Sequence, residues 1–234
     1  MNPKRQEAKP DKQLIKKAQK VCQILEVTFG LPEWRQPLSA LDELVSTILS
    51  QNTNDINRDM AFNRLKEKFP DWEAVRDALE EEVVEAIRPA GLANLKAPRM
   101  QAILRQITAE RGCLELEFLG EMGREGAHAW LSRFKGVGPK TAAIVLQFSL
   151  GISAFPVDTH IYRVSGRLGL RPGKMGVEDA HAWLEQLFTP EQYGPGHLNL
   201  IRLGREVCHA RKPECLRCPL NGLCDYYQNL QKLD

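Results

Sequence analysis

The sequence predicts an all-α protein built from many short helices in compact packing. Three observations carry that expectation. Apolar residues recur at helical spacing through 12–29 and 39–50. Prolines, glycines and capping residues cut much of the remaining 234-residue chain into short pieces. Strand patterning is confined to Cys113–Phe118, where the alternation is brief and isolated; the segment reads as an extended linker, with a lone strand as the alternative.

The elements follow in order. From Lys12 to Phe29, Leu14, Ile15, Ala18, Val21, Cys22, Ile24, Leu25 and Val27 make one face, and Gly30-Leu31-Pro32 ends the run. Ser39 is a good N-cap with Asp42 three residues on, as in a capping box. Leu41, Leu44, Val45, Ile48 and Leu49 then repeat along one stripe up to Ser50. A helix is expected over Asn54–Phe69, stopped by Pro70, and two short ones over Asp71–Ile87. Lys96–Arg111 follows, with Pro98 placed as a first-turn proline and Gly112 as the stop. Later helices are expected over Gly126–Phe134, Lys140–Leu150, Thr159–Leu168, Val177–Phe188 and His197–Val207.

A formal net charge of +2 says little about partners by itself, so the position of the charges has to carry that argument. No apolar run is long enough to cross a bilayer, and no apolar stretch of the secretory kind follows the basic N-terminus. An intracellular protein, cytoplasmic and without a membrane partner, is the expectation. The six cysteines agree with it. A secreted disulfide framework would spread its pairs, whereas here four crowd between 208 and 224, and Cys22 and Cys113 stand apart as buried or incidental thiols.

The stretch Leu131–Phe148 carries chemistry. A helix ends near Phe134, Gly136-Val137-Gly138 makes a tight turn, and Pro139 opens a largely apolar helix. Glycines let a backbone come close to a ligand, and the helix start offers unpaired N–H groups with a positive dipole end, which suits a phosphate. A plain helical hairpin using glycines to turn is the simpler alternative. Lys140 stands in the first turn, where the dipole disfavours a cation, with an apolar helix behind it. Both effects favour a neutral amine, the state a nucleophile needs; a solvated lysine near phosphates is the plainer reading. Downstream, Asp158 precedes an amphipathic helix in Phe155-Pro-Val-Asp158-Thr-His160-Ile-Tyr-Arg-Val164. An N-cap is its simplest role, compatible with moving protons beside a reacting lysine. His160 reads as a packing or hydrogen-bonding residue.

Cys208, Cys215, Cys218 and Cys224 lie close enough in sequence to converge on one centre. Their chemistry admits a four-cysteine zinc or an iron–sulfur cluster. Arg211 and Lys212 lie between the first two, as a solvated loop or as cations for a DNA backbone.

These residues together resemble the endonuclease III family of helix–hairpin–helix DNA glycosylases. FKGVGPKTAAIVL is similar to the family's hairpin, whose following lysine is the nucleophile, here Lys140. The segment around Asp158 is similar to the one carrying the family's catalytic aspartate. The cysteine spacing resembles that of the family's [4Fe–4S] cluster. The resemblance runs from about Ser39 to Cys224.

It implies two helical lobes: a six-helix barrel over 36–152 ending in the hairpin, and a cluster lobe over 1–35 and 153–234, with DNA bound in the groove between. Gly136, Val137, Gly138 and Thr141 would hold the DNA backbone, and Arg211 and Lys212 would meet it from the cluster loop. Leu49–Asp55 resembles the loop whose glutamine fills the space of the flipped base. That glutamine falls on Asn52, with Gln51 one place early, and a polar inter-helix loop would also explain the composition.

The implied activity is base-excision repair by a monomeric bifunctional glycosylase and AP lyase. It would act on oxidised pyrimidines, of the thymine glycol type, and abasic sites in double-stranded DNA. An adenine-mismatch enzyme would lack the lysine and add a further domain, whereas this chain ends at Asp234, soon after Cys224. A thymine-mismatch enzyme would carry tyrosine at that position. A non-catalytic DNA-binding or redox-sensing protein explains the hairpin and cysteines but not Lys140 with Asp158.

Overall fold

The computed structural model describes residues 9–32 and 36–232. Among them lie twelve α-helices and no strand. The chain divides into two compact units, Gln36–Ile152 on one side and the described parts of Met1–Arg35 and Ser153–Asp234 on the other.

Local signals set most boundaries in the first unit. Helix α2 (Ala40–Ser50) begins where the Ser39 hydroxyl accepts the Asp42 amide, and α3 (Asp55–Lys68) where Asn54 caps Asn57. The capping box at Ser39 is only half formed: the Asp42 carboxylate turns to the Trp72 indole N–H at 2.7 Å. The 71–87 stretch splits into α4 (Trp72–Asp77) and α5 (Glu80–Ile87). Helix α6 (Ala93–Arg111) starts earlier than Pro98 suggests, so that proline lies inside the helix and not in its first turn. Leu92, in the left-handed conformation, turns the chain into it. No strand forms at 113–118; a 3-10 turn covers Glu117–Glu121 before α7 (Gly123–Ser132), which ends short of Phe134. Helix α8 (Pro139–Phe148) packs on α2, and Leu44, Ile48, Leu104, Ile107, Leu131, Val145 and Leu146 are buried in this unit.

One buried charge stands out in this core. Lys96 is 1% exposed and donates Nζ to the carbonyls of Leu49 (2.7 Å) and Ala90 (2.9 Å), serving the ends of α2 and of a 3-10 turn. Burial pulls its pKa down to about 8. A folded pKa below the unfolded value penalises the charged form at neutral pH, so stability rises as pH passes from about 8 towards 10.5. Lys96→Met, which strands two buried carbonyls, is expected to cost about 2–4 kcal/mol at pH 7. The gap to wild type should widen on going to pH 10, by up to ~3 kcal/mol. Urea unfolding of both proteins at the two pH values checks it; a constant gap would remove Lys96 as the titrating group.

The second unit is knitted from both ends of the chain. Helix α1 (Lys12–Phe29) packs on α11 (Pro190–Glu206), and α11 on α9 (Thr159–Arg167). Lys17 on α1 pairs at 2.6 Å with Asp225, which opens α12 (Asp225–Leu230). Leu25, Phe155, Ile161, Leu200 and Leu203 share its core with α10 (Val177–Glu185). Helix α11 begins at Pro190, well before the expected His197. Thr189 and Gln192 form a full capping box there, and Pro195 is absorbed inside the helix.

Candidate functional site

The hairpin forms as the sequence implies, between α7 and α8. Gly136 sits at φ +90, a conformation that excludes most side chains, and Gly138 is the N-cap of α8. No side chain caps α8, so the first-turn amides of Lys140 and Thr141 keep no side-chain acceptor. Val137 and Thr141 are buried, each 4% exposed, which leaves main-chain groups as what these two positions can offer a ligand. Lys140 is half-buried at the second position of α8.

The turn after α2 lies against this hairpin. Gln51 donates Nε2 to the Gly136 carbonyl at 3.0 Å. Asn52 is exposed and left-handed, with φ +55. The structure thus brings the turn and the hairpin together within one unit.

Asp158 belongs to the other unit. It is half-buried at the N-cap of α9, accepting the Ile161 amide at 2.8 Å. The strand-like approach to it is fixed: the Phe155 amide donates to Glu185 and buried His197 Nδ1 lies 2.9 Å from the Pro156 carbonyl. His160 packs beside Gly204, with its Nδ1 3.1 Å from Arg163 Nη2.

The same helix organises the cysteines. Arg163 and Arg167, one turn apart on α9, reach into the loop after α11. Arg163 donates to the carbonyls of Gly204 (2.8 Å) and Cys208 (3.1 Å). Arg167 donates to the His209 and Ala210 carbonyls and to Cys208 Sγ at 3.2 Å. Cys208, Cys215, Cys218 and Cys224 line one cavity of about 290 Å³, its mouth included, together with Arg167, Tyr226 and Tyr227.

A [4Fe–4S] core fits this donor set. Among the described residues no three His, Cys, Asp or Glu side chains close up as they would around one ion. A tetrahedral zinc would hold each sulfur at about 2.3 Å. Four thiols spread around a shared cavity suit a larger inorganic core that carries its own sulfides. Burial pushes the thiols of Cys215, Cys218 and Cys224 up, so thiolates there require a cationic centre. Cys22, buried and pushed up to about 12 by burial and then by Glu26, is an inert core thiol, and Cys113 is exposed outside the cavity. Arg211 and Lys212 are exposed in the first cysteine loop, Lys212 with φ +51.

A family model described as the HhH-GPD superfamily base excision DNA repair protein matches residues 45–190. The chain belongs to that superfamily. A second model, the iron–sulfur binding domain of endonuclease III, matches residues 208–224, the span of the four cysteines. The chain is 32% identical over 207 residues to endonuclease III of Thermotoga maritima, covering 88% of this chain and 92% of that one. It is 46% identical over 134 residues to an Arabidopsis thaliana protein provisionally described as a DNA glycosylase, covering 57% of this chain and under half, 46%, of that one. A trapped covalent endonuclease III–DNA intermediate superposes with a TM-score of 0.80 at 26% identity, over 93% of this chain and 98% of that one.

As a member of this superfamily the chain is an endonuclease III-like base-excision repair glycosylase with the family's iron–sulfur domain. No helix among the described residues is long and apolar enough to cross a membrane. Sequence reasoning missed the residues that hold these parts in place. Arg163 and Arg167 are marked in the sequence only as cations one turn apart on α9, and nothing in the sequence singles out Lys96 or Arg99.

Proposed function

We propose that the protein is a bifunctional DNA glycosylase and AP lyase acting, as a monomer inside the cell, on oxidised pyrimidines of the thymine glycol type and on abasic sites in duplex DNA. The observation that carries this reading is Lys140, half-buried at the start of α8 directly after the glycine turn. A lysine there has no evident structural task, and the helix dipole works against its charge. The covalent DNA intermediate of the endonuclease III relative supports the same chemistry.

In this reading the damaged nucleotide leaves the stack, because its sugar–base bond cannot be reached inside the duplex. The hairpin amides around Gly136–Gly138 and the cations Arg211 and Lys212 hold the backbone. The Lys140 amine forms a bond to C1′ as the C1′–N bond breaks, and the base departs with its electron pair and takes up a proton. Ring opening gives a Schiff base. Loss of a C2′ proton then expels the 3′ phosphate by breaking the C3′–O bond, which nicks the strand. Asp158 stabilises positive charge on the sugar and moves protons. Cys208, Cys215, Cys218 and Cys224 hold the cluster, which supplies a rigid cross-link for the loop bearing Arg211 and Lys212 and takes no part in bond breaking.

Incubation with a thymine glycol duplex, followed by borohydride, tests the assignment. A covalent protein–DNA band and a nicked strand are expected; a free base without either would make the enzyme monofunctional. Asp158→Asn separates the cap from the chemistry. Asparagine caps helices as well as aspartate does, so stability should move by no more than about 0.5 kcal/mol. Single-turnover base release should fall by about 100-fold or more. Equal losses in melting and in rate would leave Asp158 with a structural role alone.

A further inference from the structure

The turn after α2 holds two amides side by side, and the structure treats them differently. Gln51 is engaged at both ends of its side chain. Its Nε2 donates to the Gly136 carbonyl at 3.0 Å, and its Oε1 accepts from Arg99 Nη1 at 3.4 Å. Arg99 in turn lies across the hairpin glycine. A Cβ on Gly136 would collide with Arg99 Cδ and stand 2.7 Å from Nη1, so the arginine occupies the space that the missing side chain leaves. Arg99 lies one turn beyond Lys96 on α6, and Lys96 holds the Leu49 carbonyl at the other end of the same turn. One helix thus grips the turn at both its beginning and its first tip residue.

Two other polar side chains of the turn, Ser50 and Asn54, are also committed. Ser50 donates its hydroxyl to the Thr47 carbonyl, and Asn54 caps α3. Asn52 stands exposed between them in the left-handed conformation that asparagine tolerates better than other non-glycine residues. For Gln51 to enter a duplex it would have to give up both hydrogen bonds and leave Arg99 without its partner over Gly136.

We infer that Gln51 and Arg99 are positioning residues, a brace that fixes the α2 turn against the hairpin, and that Asn52 is the side chain presented to the gap left by an extruded base. This rests on the glycosylase reading above. The brace couples the part of the protein that holds the backbone to the part that fills the stack, so phosphate docking sets the depth at which Asn52 enters. Arg99 has no contact with the reacting atoms in this account; it acts through Gln51 and Gly136.

The test uses a duplex with thymine glycol opposite 2-aminopurine, whose fluorescence reports unstacking, with wild type, Asn52→Ala, Gln51→Ala, Arg99→Met and the Gln51→Ala/Arg99→Met double variant. Asn52→Ala should lose most of the fluorescence change and slow base release about tenfold, and Asn52→Gly, which keeps the left-handed turn without strain, should do the same with melting close to wild type. Gln51→Ala and Arg99→Met should each keep part of the change and slow base release several-fold, more than they slow cleavage of a pre-formed abasic site. The double variant should be no worse than either single one, in rate and in melting temperature, as for two parts of one brace. Arg99→Lys, which keeps a donor and much of the stem, should recover part of the loss. Additive losses in the double variant, or a Gln51→Ala protein that loses the signal as fully as expected of Asn52→Ala while Arg99→Met is silent, would overturn the brace. Wild type that neither unstacks nor nicks would sink the glycosylase reading instead, and the melting cycle would still decide whether Gln51 and Arg99 act together.

Discussion

Lys140→Ala is expected to abolish the borohydride-trapped protein–DNA species on both thymine glycol and abasic duplexes. Base release should fall by about three orders of magnitude or more, because the variant removes the amine proposed to form the covalent bond. Affinity for an abasic duplex should change far less, since the main-chain groups of the Gly136–Gly138 turn remain. Stability should also hold to within about 0.5 kcal/mol: alanine is the best helix former, and the core side chains of α8, among them Ala142, Val145 and Leu146, are left unchanged. Gel analysis after borohydride, filter binding and a denaturant melt on the same preparation separate the three quantities. A trapped band of undiminished intensity in Lys140→Ala would show that another amine is the nucleophile and end the role given to Lys140. Loss of binding in parallel with loss of trapping would reduce Lys140 to a phosphate-binding cation.

What the sequence made legible depended on the range of the interaction. Ser39, Asn54 and Asp158 each cap a helix within three residues of themselves, so a local reading found all three starts. The four cysteines were equally plain, since side chains confined to 208–224 have few ways to avoid one another. Prolines misled where tertiary packing overrode a local rule. Pro98 and Pro195 sit inside α6 and α11, and the neighbouring Met100, Ile103, Tyr193 and Leu200 are buried, so core packing carries both helices past them. The contacts that tune the site were out of reach for a different reason. Gln51 and Gly136 are far apart in sequence, as are Arg167 and the Cys208 loop, and no periodicity marks such pairs. A glycine at Gly136 was readable as a turn residue; that Arg99 fills the space beside it was not.

Cys218→Ala should release the whole 208–224 segment, and the reason lies in how little else holds it. Its only regular structure is two 3-10 turns, Cys215–Arg217 and Asn221–Leu223, and Leu220 is the one aliphatic side chain of the segment that is fully buried. Arg163 and Arg167 bond the beginning of the first loop, at Cys208, His209 and Ala210, and leave Arg211 and Lys212 exposed beyond. A stretch of this kind cannot offset the entropy of ordering its backbone by burial alone. The cluster therefore supplies much of its folding free energy, as structural metal centres do. The expected result is loss of the iron–sulfur absorption, a drop of several kcal/mol in stability on the scale of a lost structural metal, and rapid tryptic cleavage after Arg211 and Arg217, both already exposed. DNA binding should weaken and its dependence on salt should flatten, if the loop cations meet the phosphates as proposed, because they would no longer do so together. Cys113→Ala, a thiol outside the cavity, serves as the control and should leave absorption and cleavage as in wild type. If Cys218→Ala kept its colour and its resistance to trypsin, the four-cysteine ligand set would be wrong. If it lost colour yet stayed resistant and bound DNA with the same salt dependence, the loop would be held by its arginine contacts, and the cluster would need a task other than rigidity.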